Sequence, residues 1–184
     1  MADRVVITGL GVAAPNGVGI AQFTEAIKNG VSGIKHQPQL AEMGFSCQIA
    51  GKPEISHELI SSYFSSLELK NFNSSGILYG VIAGMEAWKN AGLSFEIKDA
   101  PDWDSGTIFG TGTSGIEKFR EAIYKIDQLQ QRKLGSTVIT QTMASGISAY
   151  LGGKLGLGNQ VTTNSSACST GTESILLAYE RIKS

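Results

Sequence analysis

The segment from residue 160 to residue 182 constrains the fold of this chain most strongly. The short β-like run Gln160-Val161-Thr162-Thr163 leads into small polar residues and then Cys168. Gly171 follows three residues later, and an amphipathic segment continues through Ile182. A β-branched run followed by turn residues and helical spacing predicts a strand, a tight turn and a helix, with the Cys168 thiol in the turn.

This placement indicates a nucleophilic thiol. At a helix start, unpaired backbone N–H groups and the helix dipole favour negative charge. Such a position can lower the pKa of a thiol from about 8.5 to between about 3.5 and 7.5, and the thiolate is the nucleophilic form. The residues alone also allow Cys168 to be a buried structural thiol. The accompanying base is not evident, because His36 and His57 are isolated residues early in the chain.

The composition excludes several classes of protein. At 184 residues, 41% hydrophobic and 17% charged, the chain suits one domain or a large part of one. The net charge of −1 gives no basic field for nucleic acid or a membrane surface. Cys47 and Cys168 are too few for a disulfide framework or a zinc site, and free thiols suit a reducing cytoplasm. We see no signal-peptide pattern and no apolar run of about 18 residues, so we expect no membrane span.

Strand-like and helical patterns alternate along the chain. Dense apolar or β-branched runs ended by turn residues predict strands over residues 4–10, 46–50, 106–110 and 160–163. Apolar residues at helical spacing predict helices over residues 20–29, 55–64, 74–90, 115–131, 138–151 and 170–182. Ser114 is predicted to be the N-cap of the helix over residues 115–131. The alternation indicates an α/β fold, a sheet with helices packed on it.

Five blocks of sequence resemble one enzyme family. The blocks are Arg4-Val5-Val6-Ile7-Thr8-Gly9-Leu10-Gly11-Val12, Ser32-Gly33-Ile34, Gly106-Thr107-Ile108-Phe109-Gly110-Thr111-Gly112, Leu155-Gly156-Leu157-Gly158 and Ser166-Ala167-Cys168-Ser169-Thr170-Gly171. In order and spacing they resemble the elongating β-ketoacyl-(acyl carrier protein) synthases, the condensing enzymes of fatty acid and polyketide synthesis. The last block is the most specific, since it is similar to the family's active-site motif, usually Thr-Ala-Cys followed by two small residues and Gly. Ser166 stands where Thr is usual, and both residues supply a hydroxyl.

The resemblance implies a fold and a domain. The family has a thiolase-like fold of two similar βαβαβ-type halves. Residues 1–184 are expected to be the β-ketoacyl synthase N-terminal domain, with a mixed sheet flanked by helices. The family's two catalytic histidines and its structural lysine lie in the second half, which we expect this chain to lack. His36 and His57 match no family motif and take no role from it.

The resemblance also implies a function. In the family, the cysteine at the position of Cys168 takes an acyl group from an acyl carrier protein thioester, and a decarboxylating malonyl thioester then condenses with that acyl group. The parent protein is therefore expected to be a cytoplasmic acyltransferase that works as a homodimer with acyl carrier protein, without a metal or organic cofactor. The N-terminal half alone is expected not to complete condensation. Met143 stands near the family position that limits acyl length and is expected to line the acyl channel.

Two other functions remain open from the sequence. Some family members lack the nucleophile and act as non-catalytic partners that set chain length, and the presence of Cys168 argues against this role. A cysteine hydrolase of a different fold would need His36 or His57 within reach of Cys168. Glu173, in the first turns of the last helix, is interpreted as a complement to the helix dipole, and Cys47 as a structural residue.

Overall fold

The computed structural model describes residues 4–95 and 99–184, which form short strands and helices. The strands are β1 (Ala13–Ala14), β2 (Gly17–Val18), β3 (Ile34–His36), β4 (Ile49–Gly51), β5 (Thr107–Gly110) and β6 (Val161–Asn164). The helices are α1 (Ile20–Lys28), α2 (Pro38–Glu42), α3 (His57–Tyr63), α4 (Ser66–Asn71), α5 (Ser75–Asn90), α6 (Ile116–Asp127), α7 (Val138–Thr142), α8 (Gly146–Leu155) and α9 (Thr170–Lys183). The chain divides into two compact units. The first unit holds residues 8–63 and 82–93, and the second holds residues 4–7, 64–81 and the described residues from 94 onward.

The first unit contains two antiparallel strand pairs and the second half of α5. β1 pairs with β2, and β3 pairs with β4. The Glu86 carboxylate of α5 accepts hydrogen bonds from the backbone N–H groups of Val12 (2.9 Å) and Ile20 (2.7 Å). Because Ile20 begins α1, this carboxylate satisfies a backbone donor that the helix itself leaves unpaired. Ile82 and Met85 of α5 are buried in this unit.

The predicted strand over residues 4–10 is wrong. Residues 4–12 pair with no strand in the part of the chain that the structure describes, and Val6 and Ile7 are 64% and 73% exposed. A strand requires a neighbouring strand for its backbone hydrogen bonds. Here the Leu10 N–H donates to Asn90 Oδ1 (3.0 Å) and the Val12 N–H donates to Glu86, so both bonds go to side chains of α5. The β-branched run therefore forms an extended segment without becoming a strand.

The second unit is built on the parallel pair of β5 and β6, in which Thr107 lies opposite Val161 and Gly110 lies opposite Asn164. The chain between the two strands carries α6, α7 and α8 and forms the crossover that a parallel pair requires. α8 packs against both strands, and α9 packs against β5. The buried apolar residues of this unit are Phe64, Ile77, Val81, Ala122, Ile147 and Leu151.

Most predicted elements are confirmed with small changes at their ends. The helices predicted over residues 20–29, 55–64, 74–90, 115–131 and 170–182 are α1, α3, α5, α6 and α9, and the strands predicted over residues 46–50, 106–110 and 160–163 are β4, β5 and β6. The α/β class is confirmed. None of the helices within residues 4–95 and 99–184 combines the length and apolar character that a membrane span needs.

Two predicted features near α6 to α8 are wrong. Gly115, with a φ of 61°, is the N-cap of α6, and the Ser114 hydroxyl is buried without a hydrogen-bond partner among the described residues. The helix predicted over residues 138–151 is divided into α7 and α8, because Met143 has an extended backbone (φ −66°, ψ 141°). The Thr142 hydroxyl donates to the Val138 carbonyl at 3.0 Å, and such a side-chain bond competes with the continuing helix.

Candidate active site

Cys168 lies in the turn between β6 and α9, as the sequence predicts. Residues Ala167–Ser169 form a single 3₁₀ turn, and α9 begins at Thr170. Cys168 is exposed and forms no disulfide. The thiol therefore lies at the N-terminal end of a 14-residue helix, where backbone N–H groups and the helix dipole favour an anion.

Thr170 closes the turn that contains Cys168. Its hydroxyl accepts a hydrogen bond from the Ser166 N–H (3.0 Å) and donates one to the Ala167 carbonyl (2.7 Å). Ala167 has a φ of 50°, in the left-handed region, which costs a residue with a Cβ about 1–2 kcal/mol. The buried Thr170 side chain thus stabilises a strained backbone immediately before Cys168.

A second group of hydrogen bonds connects the end of β6 to α9. The Glu173 carboxylate accepts from the Ser166 hydroxyl and from Asn164 Nδ2 (3.1 Å). Asn164 Nδ2 also donates to the Thr170 carbonyl (3.1 Å), and Asn164 Oδ1 accepts from the Ser174 hydroxyl (2.7 Å). The Ser166 hydroxyl, and after it the Asn164 amide, lower the pKa of Glu173 below its ordinary value. An ionised carboxylate therefore anchors the turn at neutral pH.

The anchoring role of Glu173 is not predicted by the sequence pattern around it. The available signal was an acidic residue near the start of a helix, preceded by amide and hydroxyl side chains. That pattern predicts that side chains accept hydrogen bonds from the backbone N–H groups of the helix. In the structure the Glu173 carboxylate instead accepts from the side chains of Ser166 and Asn164, which only the three-dimensional turn brings within reach.

Gly110, at the end of β5, permits the start of α9 to lie against the strand. A Cβ at this position would lie 2.6 Å from Ser174 Oγ and 2.8 Å from the Thr170 carbonyl oxygen. The N–H of the next residue, Thr111, donates to the Asn164 carbonyl (3.2 Å). The carboxyl ends of β5 and β6 therefore meet at the Cys168 turn, the end of a parallel sheet at which α/β proteins bind ligands.

Met143 follows the last residue of α7 and is 47% exposed. Its N–H donates to the Ile139 carbonyl, and its carbonyl accepts from the Gly146 N–H. These bonds fix the Met143 backbone between α7 and α8, in the same compact unit as Cys168. The part of Met143 in an acyl channel stays a prediction.

The two histidines and the second cysteine belong to the first unit, whereas Cys168 belongs to the second. His36 Nε2 lies 3.2 Å from Gln48 Oε1, and His57 Nδ1 lies 3.3 Å from Ser61 Oγ. Each histidine thus has a hydrogen-bond partner close to it in sequence. Cys47 is exposed, with its Sγ 3.9 Å from the Ile49 carbonyl oxygen.

The described residues contain no group of three or more His, Cys, Asp or Glu side chains placed to hold a metal ion. An open depression of about 450 Å³ in the second unit is lined by Trp103, Asn159 and Arg181 among others. Asn159 precedes β6 and Arg181 is near the end of α9. The depression therefore lies near the start of β6 and the end of α9, whereas the Cys168 turn connects the end of β6 to the start of α9.

Comparison with known proteins identifies the family. The model of the beta-ketoacyl synthase N-terminal domain matches residues 2–184. The chain belongs to the beta-ketoacyl synthase family. One relative, a 3-oxoacyl-[acyl-carrier-protein] synthase 1 from Buchnera aphidicola subsp. Schizaphis graminum, is 29% identical over 184 residues, which cover 98% of this chain and 44% of that relative.

Solved beta-ketoacyl synthase structures share the fold. A beta-ketoacyl synthase from Burkholderia phymatum STM815 matches with a TM-score of 0.81 and 22% identity, over 97% of this chain and 43% of that chain. AntDE:AntF, a type II PKS acyl-carrier protein in complex with its ketosynthase bound to the hexaketide, matches with a TM-score of 0.77 and 23% identity, over 100% of this chain and 43% of that chain. The predicted fold, the N-terminal half of a beta-ketoacyl synthase, is confirmed. The chain spans less than half the length of these proteins.

Proposed function

We propose that this chain supplies the nucleophile of a 3-oxoacyl-(acyl carrier protein) synthase, a decarboxylative condensing enzyme. The observation that carries the proposal is the position of Cys168, an exposed thiol at the start of α9. This turn lies within the region that the beta-ketoacyl synthase N-terminal domain model matches. A thiolate is a strong nucleophile near neutral pH and leaves readily as a thioester sulfur, which suits a covalent acyl carrier.

The first proposed step transfers an acyl group to Cys168. The Cys168 thiolate attacks the carbonyl carbon of an acyl thioester on acyl carrier protein. A C–S bond to Cys168 forms, the C–S bond to the carrier breaks, and the carrier thiolate takes a proton from water. The backbone N–H of Cys168, at the start of α9, is a suitable donor to the oxyanion that forms during this exchange.

The second proposed step forms the carbon–carbon bond. A malonyl thioester loses CO₂, and the electron pair of the broken C–C bond becomes the carbon nucleophile. This carbon attacks the acyl carbonyl and expels the Cys168 thiolate, which yields a β-ketoacyl thioester and the free enzyme. No histidine follows Cys168 in the sequence. We therefore expect the 184 residues to accept an acyl group but not to complete condensation alone.

The partners follow from the same proposal. Acyl carrier protein is the proposed donor, supported by the neighbouring structure of a ketosynthase in complex with its acyl-carrier protein. We propose that residues 1–184 act as the N-terminal domain of a longer cytoplasmic homodimer, because the matched relative is more than twice the length covered. Met143, at the end of α7, is proposed to line the acyl channel.

Acylation of the thiol tests the proposal. We expect the protein to form a covalent adduct with an acyl thioester of acyl carrier protein, located at Cys168 by peptide mass. Cys168→Ala should remove the adduct, because no sulfur remains to carry it. Cys47→Ala is the matched control and should leave the adduct unchanged, since Cys47 lies outside the turn at the start of α9.

Two outcomes would contradict the proposal. An adduct that persists in Cys168→Ala, in a protein whose circular dichroism matches that of the unsubstituted chain, would show that another residue is the nucleophile. A β-ketoacyl product formed by the 184 residues alone, above the Cys168→Ala background, would show that they contain the whole condensing site.

A further inference from the structure

The Glu173 carboxylate connects the strand side of the Cys168 turn to its helix side. It lies on the first turns of α9 and accepts hydrogen bonds from Ser166 and Asn164, which precede Cys168. Both donors reach the same carboxylate oxygen. Between the donors and the acceptor lies Ala167, whose backbone is in the left-handed region.

We propose that Glu173 is a positioning residue for Cys168, because its carboxylate holds Ser166 and Asn164 against α9 and so fixes the Cys168 thiol at the helix start. The proposal deepens the proposed function and depends on it only for the role of the thiol. Bonds to an ionised acceptor are roughly twice as strong as neutral ones. A carboxylate therefore restrains the strained turn more firmly than a hydroxyl or water would.

Glu173 is the charged residue within residues 164–174, which form the Cys168 turn and the start of α9. β5 and β6, the strands against which α9 packs, carry only the residues Thr107-Ile108-Phe109-Gly110 and Val161-Thr162-Thr163-Asn164, none of which is ionisable. The Glu173 charge opposes a thiolate at the same helix end, because like charges disfavour each other's ionised form. The hydrogen bonds of Glu173 thus favour the Cys168 thiolate by holding the thiol at the helix start, whereas the charge of Glu173 disfavours the thiolate. Variants that remove the charge alone, or the charge and the bonds together, separate these two effects.

Three variants distinguish positioning from a simple effect on the helix dipole. Glu173→Gln keeps an oxygen acceptor for Ser166 and Asn164 but removes the charge. Glu173→Ala removes both. Glu180→Ala, an exposed carboxylate on the same helix, is the matched control for the loss of one charge from α9.

The first measurement is the rate of alkylation of Cys168 by iodoacetamide against pH, with Cys47 in the same sample as the internal reference. We expect the half-maximal pH in Glu173→Gln to lie at or below that of the unsubstituted protein, since the opposing charge is gone. In Glu173→Ala it should lie at least about half a pH unit above that of Glu173→Gln, because the turn no longer holds the thiol at the helix start. Glu180→Ala should match the unsubstituted protein.

Amide hydrogen exchange of the peptide spanning residues 164–170 gives a second readout that does not depend on the thiol. We expect exchange about tenfold faster in Glu173→Ala than in Glu173→Gln, because only the glutamine keeps an oxygen acceptor for the Ser166 hydroxyl and the Asn164 amide. Equal alkylation profiles and equal exchange in these two variants would overturn the positioning role. If Cys168 and Cys47 instead react alike in the unsubstituted protein while exchange still separates the variants, the proposed nucleophile fails and the positioning of the turn stands.

Discussion

Glu68 shows how one side chain stabilises several elements of the second unit. Its carboxylate accepts hydrogen bonds from the Ser65 N–H (2.7 Å), the Tyr150 hydroxyl (2.8 Å) and Lys154 Nζ (2.7 Å). The Ser65 hydroxyl accepts from the Glu68 N–H, which completes a capping box at the start of α4. Partial burial opposes ionisation, but the bonds to Lys154, Ser65 and Tyr150 lower the pKa of Glu68 to about 2.

Glu68→Gln should lower the free energy of unfolding by about 1–2 kcal/mol at pH 7, after allowance for solvent screening of a partly exposed pair. Because the folded pKa is below the unfolded value, the stabilisation is complete above pH 4.5 and is lost as the pH falls towards 2. Urea unfolding at pH 7 and pH 3 measures the difference. Glu54→Gln, which breaks the exposed Lys35–Glu54 pair, is the control and should change stability by less than about 0.5 kcal/mol. Equal losses in the two variants would show that the Glu68 bonds contribute no more than a surface ion pair.

At this scale the sequence predicts a residue's position better than its bonds. Cys168 was placed correctly because its turn is defined by neighbours along the chain. The Glu68–Lys154 pair joins residues 86 positions apart, and no local pattern encodes that approach. The role of Cys168 as nucleophile and the role of Met143 in an acyl channel stay predictions, since both rest on a resemblance of motifs.

At the scale of elements, the start of α5 depends on side chains from two other helices. Gln141 Oε1 of α7 accepts from the N–H groups of Asn73 (2.8 Å) and Ser74 (2.9 Å), and Glu117 of α6 accepts from the Ser75 N–H (2.6 Å). The Ser74 hydroxyl is buried and forms no hydrogen bond among the described residues. The capping of α5 is therefore a tertiary contact that also orients α6 and α7.

Gln141→Leu should destabilise the protein by about 2–4 kcal/mol, because it leaves the buried Ser74 N–H and the partly buried Asn73 N–H without their acceptor. Gln141→Glu keeps an acceptor and places a negative charge at a helix start, so we expect a loss below about 1 kcal/mol. Chemical unfolding at pH 7 compares the two variants. Similar losses for both would show that packing at residue 141, and not the capping of α5, is responsible.

The confirmed and wrong elements have a common physical explanation. Six apolar residues at helical spacing predict α5, of which Ile77, Val81, Ile82 and Met85 are buried and Leu78 and Trp88 are half-buried. The periodicity therefore identifies the apolar face of the helix, which in α5 is largely buried. The strand expected over residues 4–10 failed because its composition carries no information about a partner strand. The prediction of one helix over residues 138–151 is wrong because a short turn at Met143 interrupts an otherwise apolar run.

At the scale of the molecule, several apolar side chains of the second unit are exposed on two helices. On α6, Phe119 is 55% exposed, and on α9, Ile175 and Ile182 are 65% and 67% exposed. Ile175 and Ile182 are seven residues apart and therefore lie on one face of α9. These apolar residues are part of the helical spacing that predicts α6 and α9, and the helices lie where the spacing places them. The sequence does not show that their apolar faces are exposed. Exposed apolar patches of this kind promote association.

We expect the 184-residue chain in isolation to self-associate in a concentration-dependent manner through the exposed face of α9. Replacing both Ile175 and Ile182 by Lys should weaken this association at least about tenfold, because burial of each isoleucine contributes about 1.5–3 kcal/mol. Thr172→Lys in α9, together with Ser184→Lys at the C-cap of this helix, adds the same two charges at exposed polar positions and should leave association unchanged. Sedimentation equilibrium at several concentrations, together with the fluorescence of an apolar dye, measures both effects. Association that responds equally to the two double variants would indicate a general effect of charge, and a monomer at all concentrations would show that this face does not associate.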